Sequence, residues 1–237
     1  MTHPLLRAER ITRSFPAPYA GGNHTVLQDL NLTMAPQTSI ALMGPSGSGK
    51  TTLLHLLGAL ARPDSGTIWL QGTRIDDLNE QDRAKVRRRE LGFVFQEHAL
   101  MPHLTALENV LLPTLGAPDL ALSAEPRAEK MLQEAGLGDR LHHRPDQLSV
   151  GQRQRVAVCR ARINRPKLIV ADEPTGALDR ERARTLIGVL LDAQASEDCG
   201  LIVATHDERV AARFDRVLDL VDGRLSERSS DAPGLDL

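Results

Sequence analysis

Long apolar runs are missing from these 237 residues. The longest, such as Leu53–Leu60 and Leu168–Ala171, fall far short of the ~18–20 residues that a membrane span needs. Any role at a membrane is therefore expected to run through a partner. The first residues lack a basic segment followed by an apolar one, so secretion is not expected. Charge of one sign is missing too: 29 basic and 31 acidic residues leave a formal net charge of −2. Nothing in that balance points to nucleic acid as a partner or to an acidic solvating tail. Cysteine is scarce. Cys159 and Cys199 stand far apart without metal-ligand spacing, and are expected to be reduced thiols of a cytosolic protein. Internal repeats are absent as well. What is present is a globular composition, 41% hydrophobic and 25% charged. It is enough to bury a full core as one domain, or as one domain with an embedded subdomain.

The most informative stretch is Gly-Pro-Ser-Gly-Ser-Gly-Lys-Thr-Thr: Gly44, Pro45, Ser46, Gly47, Ser48, Gly49, Lys50, Thr51 and Thr52. It fits a phosphate-binding loop, with Gly44, four residues, then Gly49, Lys50 and Thr51. The apolar Ser39–Met43 precedes it as a strand, and leucines at helical spacing follow in Thr52–Leu60. Glycines at 47 and 49 allow successive backbone N–H groups to turn inward around a phosphate chain. The start of the next helix adds its positive dipole end. Lys50 is suited to the β- and γ-phosphates, and the Thr51 hydroxyl to Mg²⁺. A ligand-free Gly/Ser turn is the plain alternative; the register of Lys-Thr and the strand and helix on either side argue against it. A nucleoside triphosphate is the expected ligand.

Strand-like stretches appear at Leu5–Thr12, Val26–Met34, Thr67–Leu70, Leu91–Phe95, Lys167–Asp172 and Leu201–Thr205, with helical patterns between them. That alternation predicts an α/β sheet covered by helices. Val217–Leu220, Asp222-Gly223 and Arg224-Leu225 read as a short hairpin. From Gln96 to about Gly151 the strand pattern stops. His103–Leu115 and Arg127–Ala135 read as helices, parted by a break at Gly116–Pro118, which predicts a helical insert. Ser226–Leu237 reads as a frayed tail. Arg83, Lys85, Arg87, Arg88 and Arg89 crowd one short segment. Without interleaved aromatics for stacking, a solvated helix face is expected there rather than a phospholipid or nucleic-acid surface.

A phosphate loop alone fits kinases, GTPases and many motors. Four further segments narrow the field. Leu168–Asp172 with Glu173 is an apolar strand ending in two adjacent carboxylates, which buried strands rarely carry without a cation or a reaction to serve. Asp172 suits Mg²⁺, and Glu173 suits a water attacking the γ-phosphate. Leu148-Ser149-Val150-Gly151-Gln152 opens an Arg-rich helix, with Ser149 as N-cap; alone it is an ordinary cap. Gln96 follows a strand at the mouth of the insert. His206 follows Leu201–Thr205, where a neutral imidazole can hydrogen-bond a γ-phosphate, although a lone histidine there is more often structural.

In this order, over roughly residues 5–225, the segments together with Ala177-Leu178-Asp179 resemble the ATP-binding cassette (ABC) ATPases. The resemblance implies an α/β P-loop NTPase (RecA-like) core with an N-terminal antiparallel β subdomain and an inserted helical subdomain. It implies one cassette over residues 1–225, a helical insert at about 97–155, and a flexible tail at 226–237. Gly44–Thr52 becomes the Walker A segment binding ATP, and Asp172 the Walker B aspartate. Thr51, Gln96 and Asp172 become the Mg²⁺ ligands, with Glu173, His206 and Gln96 acting in catalysis. Ser149, Gly151, Gln152 and Asp179 become nucleotide contacts made by a second copy, packed head to tail. Phe15 falls where the family stacks an aromatic on adenine, with Tyr19 as the fallback; a core residue at a strand end is the plain alternative for Phe15. Val150 departs from the family's Leu-Ser-Gly-Gly-Gln signature, whereas Gly151 is kept.

Leu91–Gln96, Leu104–Val110, Ala171–Asp179 and Leu53–Gly58 are most similar to the LolD/MacB-type group. That implies an ATPase on the cytoplasmic face of the membrane, a homodimer held by an integral membrane permease, serving export or extraction of lipoproteins, peptides, drugs or haem. Nucleic acid is not an expected partner. The rival, a soluble ABC ATPase of DNA repair or translation, needs a long coiled coil or a second cassette, and the chain has neither. A P-loop kinase would lack the Ser149–Gln152 segment and His206.

Overall fold

In the central strands every residue but the last is apolar or small, so neither face can be left to water, and layers form on both sides. The computed structural model describes residues 3–17, 22–96, 98–176 and 178–228. Its strands are β1 (Leu6–Pro16), β2 (Asn23–Met34), β3 (Ser39–Met43), β4 (Ser65–Leu70), β5 (Thr73–Arg74), β6 (Leu91–Val94), β7 (Leu168–Asp172), β8 (Gly200–Ala204), β9 (Arg216–Val221) and β10 (Arg224–Glu227). The α-helices are α1 (Lys50–Leu57), α2 (Glu80–Glu90), α3 (Ala106–Leu111), α4 (Pro118–Ala121), α5 (Ala124–Glu134), α6 (Val150–Arg162), α7 (Arg180–Ser196) and α8 (Glu208–Ala211).

One sheet, in the order β2-β1-β4-β5, is antiparallel. The other runs β10-β9-β3-β8-β7-β6, with β9, β3, β8, β7 and β6 all parallel and β10 returning antiparallel. Side-chain alternation splits its strands between two cores. Ile40, Leu42, Leu168, Val170, Ile202 and Ala204 join α1 and the antiparallel sheet. Ala41, Met43, Ile169, Ala171, Leu201 and Val203 face the other way, onto α7 and α8. A third cluster, including Leu107, Val110, Met131, Leu132, Val156 and Cys159, is the helical layer's own core. Both thiols are buried, and burial pushes them up, Cys159 to about 12 and Cys199 to about 11.

Three expectations need correction. The helix expected over His103–Leu115 is α3 followed by a 3₁₀ turn at Leu112–Thr114. The Thr105–Glu108 capping box sets its start, and Pro113, which has no N–H to give, stands where the α-helix tightens. Ser226 and Glu227 are not loose: they are strand residues, after a hairpin turn in which Asp222 and Gly223 both have positive φ. Arg228 then ion-pairs with Asp219 and Glu208; residues 229–237 lie outside the described residues. The basic segment in α2 is more than a solvated face. Arg83 is 6% exposed and donates to the Ala59 carbonyl at 2.7 Å, which Arg87 also reaches at 2.9 Å. Arg88 bonds the Gly116 carbonyl and Arg89 grips Asp119 in two hydrogen bonds. Lys85 pairs only within the helix, with Asp82 at 2.8 Å, whereas the arginines reach outside it, so α2 latches the phosphate-loop helix to the helical layer.

Asn109, fully buried, holds the segment after Gln96. Its amide donates to the carbonyls of Met101, Leu104 and Thr105, and its oxygen accepts from Met101 N–H. Replacing Asn109→Ala strands these backbone groups, so the expected loss is about 1–3 kcal/mol. Thermal unfolding should register it as a Tm lower by roughly 3–10 °C; an unchanged Tm refutes the role.

Candidate functional site

A parallel sheet brings the ends of its strands to one rim, and four of the sequence-read segments sit there. β3 runs into Gly44, β6 toward Gln96, β7 into Glu173 and β8 toward His206. Open α/β sheets bind their ligands at this carboxyl rim. A cleft of about 440 Å³ lined by His3, Pro36, Gln71, Lys167 and Asp198 lies at the opposite end, where the strands begin.

The phosphate loop folds as its glycines require. Gly44 has φ +147°, and a Cβ there would stand 2.3 Å from the Leu220 carbonyl. Gly49, at φ +102°, would press Val26 Cγ1 at 2.7 Å. Gly47 also has positive φ, yet open space surrounds it. Lys50 is buried, and its ammonium donates to the carbonyls of Gly44 at 2.8 Å and Pro45 at 3.1 Å. Glu173 Oε1 lies 4.0 Å away, so one of the three N–H donors has no close protein acceptor among the described residues. Ser48 Oγ is buried and unpartnered. Gly49 gives α1 no side-chain cap, whereas Asn79, Thr105, Ser149 and Asp179 cap α2, α3, α6 and α7. Free amides, an unpartnered hydroxyl and a buried ammonium fit a phosphate chain.

Thr51 donates to Asp172 Oδ2 at 2.7 Å, joining two hard oxygen donors from segments far apart in sequence. No three His, Cys, Asp or Glu side chains among the described residues are placed to hold a metal ion by themselves. A site of one or two protein oxygens completed by substrate phosphates is the pattern Mg²⁺ adopts. Glu173 sits at φ +42°, a left-handed conformation costly for a residue with a Cβ. It is held by its N–H to the Ala204 carbonyl at 3.1 Å and by its carbonyl, which accepts from Gly176 N–H at 3.2 Å. His206 Nδ1 lies 3.2 Å from Glu173 Oε2. Gln96 is exposed, and its Nε2 and Glu173 Oε2 lie 3.6 and 3.8 Å from the position a Gly176 Cβ would take.

The remaining residues form a separate surface. Ser149 and Gln152 close a reciprocal capping box, at 3.3 Å to Gln152 N–H and 2.8 Å from Ser149 N–H. Asp179 caps α7 through Arg182 N–H at 3.0 Å. Gly151 has no conformational need of glycine inside the chain: a Cβ would meet nothing closer than 3.8 Å, at Leu178 and Arg182. Phe15 is not a core residue; it is 40% exposed at the end of β1. Tyr19 and Ala177 lie outside the described residues.

Sequence reasoning missed several supports of the site. Val26 wedges against the phosphate loop at Gly49. His98 and Ala99 both take positive φ, with Arg160 donating to their two carbonyls at 2.8 and 2.5 Å and His98 Nε2 lying 3.2 Å from the Val150 carbonyl. The one signal available was that Arg160 interrupts the inner face of an otherwise apolar helix segment.

The chain is similar to known proteins over nearly its whole length. The ABC transporter family model matches residues 27–176. The lipoprotein-releasing system ATP-binding protein LolD of Legionella pneumophila (strain Lens) is 43% identical over 230 residues, covering 96% of this chain and 100% of that protein. LolD of Xanthomonas campestris pv. campestris (strain 8004) is 42% identical, with 96% and 95% covered. Among solved structures, the ATP-binding cassette MJ0796, a dimer in a post-hydrolysis state bound to ADP and Pi, superposes with a TM-score of 0.84 at 33% identity, over 96% of this chain and 99% of that one. With a loop, a carboxylate pair and a histidine gathered on one rim, and relatives matching nearly end to end, this chain belongs to the ABC transporter family as an ATP-binding, ATP-hydrolysing subunit.

Proposed function

We propose that the chain hydrolyses ATP with Mg²⁺ in two composite sites of a homodimer, and that this drives a membrane permease of the lipoprotein-releasing type. The observation that carries the reading is the meeting of Lys50, Thr51, Asp172, Glu173 and His206 on one rim. In it, backbone N–H groups of the segment from Ser46 to Thr52 cradle the phosphates, joined by the Ser48 hydroxyl and the Lys50 ammonium. Thr51, Asp172 and Gln96 hold Mg²⁺, which offsets phosphate charge when bound. Glu173 takes a proton from the attacking water or orients it, His206 hydrogen-bonds the γ-phosphate, and Phe15 stacks on adenine. The phosphate loop is open on one side, and Gly151 answers to no contact inside its own chain; a second copy covering the loop with Ser149, Gly151, Gln152 and Asp179 accounts for both. The dimeric cassette with ADP and Pi supports that arrangement.

The domain reading stays one cassette, with a helical insert at about 97–155. The LolD relatives support lipoprotein release as the transport task. No helix among the described residues is long and apolar enough to cross a membrane, so in this reading the chain joins the membrane's cytoplasmic face through its permease. The permease docks on the segment after Gln96 that carries Leu100, Met101 and Leu104, of which Met101, 51% exposed, is the most open.

Three outcomes are expected. Glu173→Gln keeps ATP binding, lowers turnover by ~10²–10⁴, and accumulates as an ATP-bound dimer in size-exclusion chromatography; near-normal turnover removes Glu173 from the chemistry. Lys50→Ala and Ser149→Ala are each inactive, yet their mixture recovers part of the activity, because a head-to-tail heterodimer keeps one intact site. Silence from heterodimers that demonstrably form would overturn that geometry. Because Cys159 and Cys199 are buried thiols, Met101→Cys should be the one readily reactive sulfur and crosslink to an integral membrane protein in native membranes, in a nucleotide-sensitive way. Crosslinks to soluble proteins alone count against the permease.

A further inference from the structure

An aromatic ring that stacks on a base must be held still, and Phe15 stands half in solvent at the end of its strand. Its neighbour on the same face is charged: the Arg13 guanidinium carbon lies 4.8 Å from the Phe15 ring centroid. Arg13 is itself fixed. Its Nη1 donates to Asp64 Oδ1 at 2.6 Å, and the other oxygen of Asp64 accepts from Ser14 N–H at 2.7 Å. Asp64 is anchored in turn, its N–H donating to the Thr12 carbonyl at 2.9 Å. Carboxylate, guanidinium and ring thus form a short stack rooted in the turn before β4. The stack adjoins the phosphate loop. Arg13 and Phe15 are cross-strand partners of Leu27 and His24, and Leu27 and Val26 are the side chains that a Cβ on Gly49 would press at 3.1 and 2.7 Å.

We propose that Arg13, held by Asp64, is the positioning residue that sets the Phe15 ring for stacking on the nucleotide base, and so favours nucleoside triphosphates over base-free polyphosphate. The inference rests on Phe15 being the base contact. Its physical content is that a cation over one face of the ring restrains it and leaves the other face for the base. Arg13 touches no phosphate in this role, although a cation this near the loop has the charge to attract one. The experiment must separate the two.

Binding of ATP and of inorganic tripolyphosphate is measured by calorimetry for wild type, Arg13→Met, Arg13→Lys, Phe15→Ala and the Arg13→Met/Phe15→Ala pair, with Tm checked for each. Met keeps the side-chain bulk without the charge. An exposed cation–π contact of ordinary strength caps the expected loss of ATP affinity for Arg13→Met at roughly 2–5-fold, because the contact exists before ATP binds and only its restraint of the ring counts; the loss should be visible in KM more than in kcat. Tripolyphosphate affinity should not move, Arg13→Lys should recover most of the loss, and the effect should vanish in the Phe15→Ala background. Equal losses for ATP and tripolyphosphate, or an undiminished loss without Phe15, overturn the proposal in favour of simple charge attraction. If Phe15→Ala weakens ATP selectively and Arg13→Met does not, the inference fails while the base contact stands. If Phe15→Ala binds ATP as wild type does, the base contact itself is wrong and the inference falls with it.

Discussion

The shared polarity of the five parallel strands is the constraint on which everything else in this protein depends. β9, β3, β8, β7 and β6 run in one direction, so the loops that follow them open at one rim. In the central three, β3, β8 and β7, interior residues are buried on both faces, which leaves chemistry nowhere to go but the strand ends. The antiparallel sheet and α1 close one face, and α7 and α8 the other. What emerges at the rim is a loop of free amides beside two carboxylates, each placed by a strand that cannot slip register without exposing a core face.

Polar joints then hold the helical layer to this sheet. Besides the α2 arginines, Arg127 of α5 and Arg162 of α6 converge on Glu197 at the end of α7, at 3.3 and 2.8 Å. Burial lowers the Arg127 pKa from its ordinary value, opposed by the nearby Glu197 carboxylate. Asn109 ties the segment after Gln96 to α3, and Arg160 ties His98 and Ala99 to the helix that Ser149 opens. These joints are directional, unlike the apolar cores they span. They fix where the Gln96 loop and the Ser149 segment stand relative to the rim.

Part of the chain's local backbone cost falls at the site. Glu173 carries a Cβ at φ +42°, and His98 and Ala99 do the same beside Gln96. Such conformations persist only where surrounding bonds over-determine them, as the Ala204 and Gly176 contacts do for Glu173. The reward for Glu173 is placement: its two oxygens sit 4.0 Å from Lys50 and 3.2 Å from His206, a position that a relaxed extension of β7 would not reach. Gly47 and Gly151 are looser: a Cβ on Gly47 would meet open space and one on Gly151 nothing closer than 3.8 Å, so packing within the chain requires neither glycine.

The order of motifs, the buried strands and the family were legible in the sequence because each is local: a loop pattern, an apolar run, a cap, an acid pair. So were the existence of a helical insert and the hairpin at Asp222-Gly223. Boundaries were less so. The helix expected over His103–Leu115 stops early because a capping box and Pro113 set its ends, and Ser226 and Glu227 are ordered because β9 offers them a partner, which no local pattern records. The use of the α2 arginines was hidden for the same reason: a charge run reads as solvent-facing until Ala59, Gly116 and Asp119 arrive from elsewhere to receive it. By itself, then, the sequence determined which groups the site contains, since residue type and near spacing carry that information. Only the tertiary structure decided that Thr51 meets Asp172, that Glu173 lies between Lys50 and His206, and that Arg13 rests on Phe15, because those distances are set by strand order and packing between segments far apart along the chain.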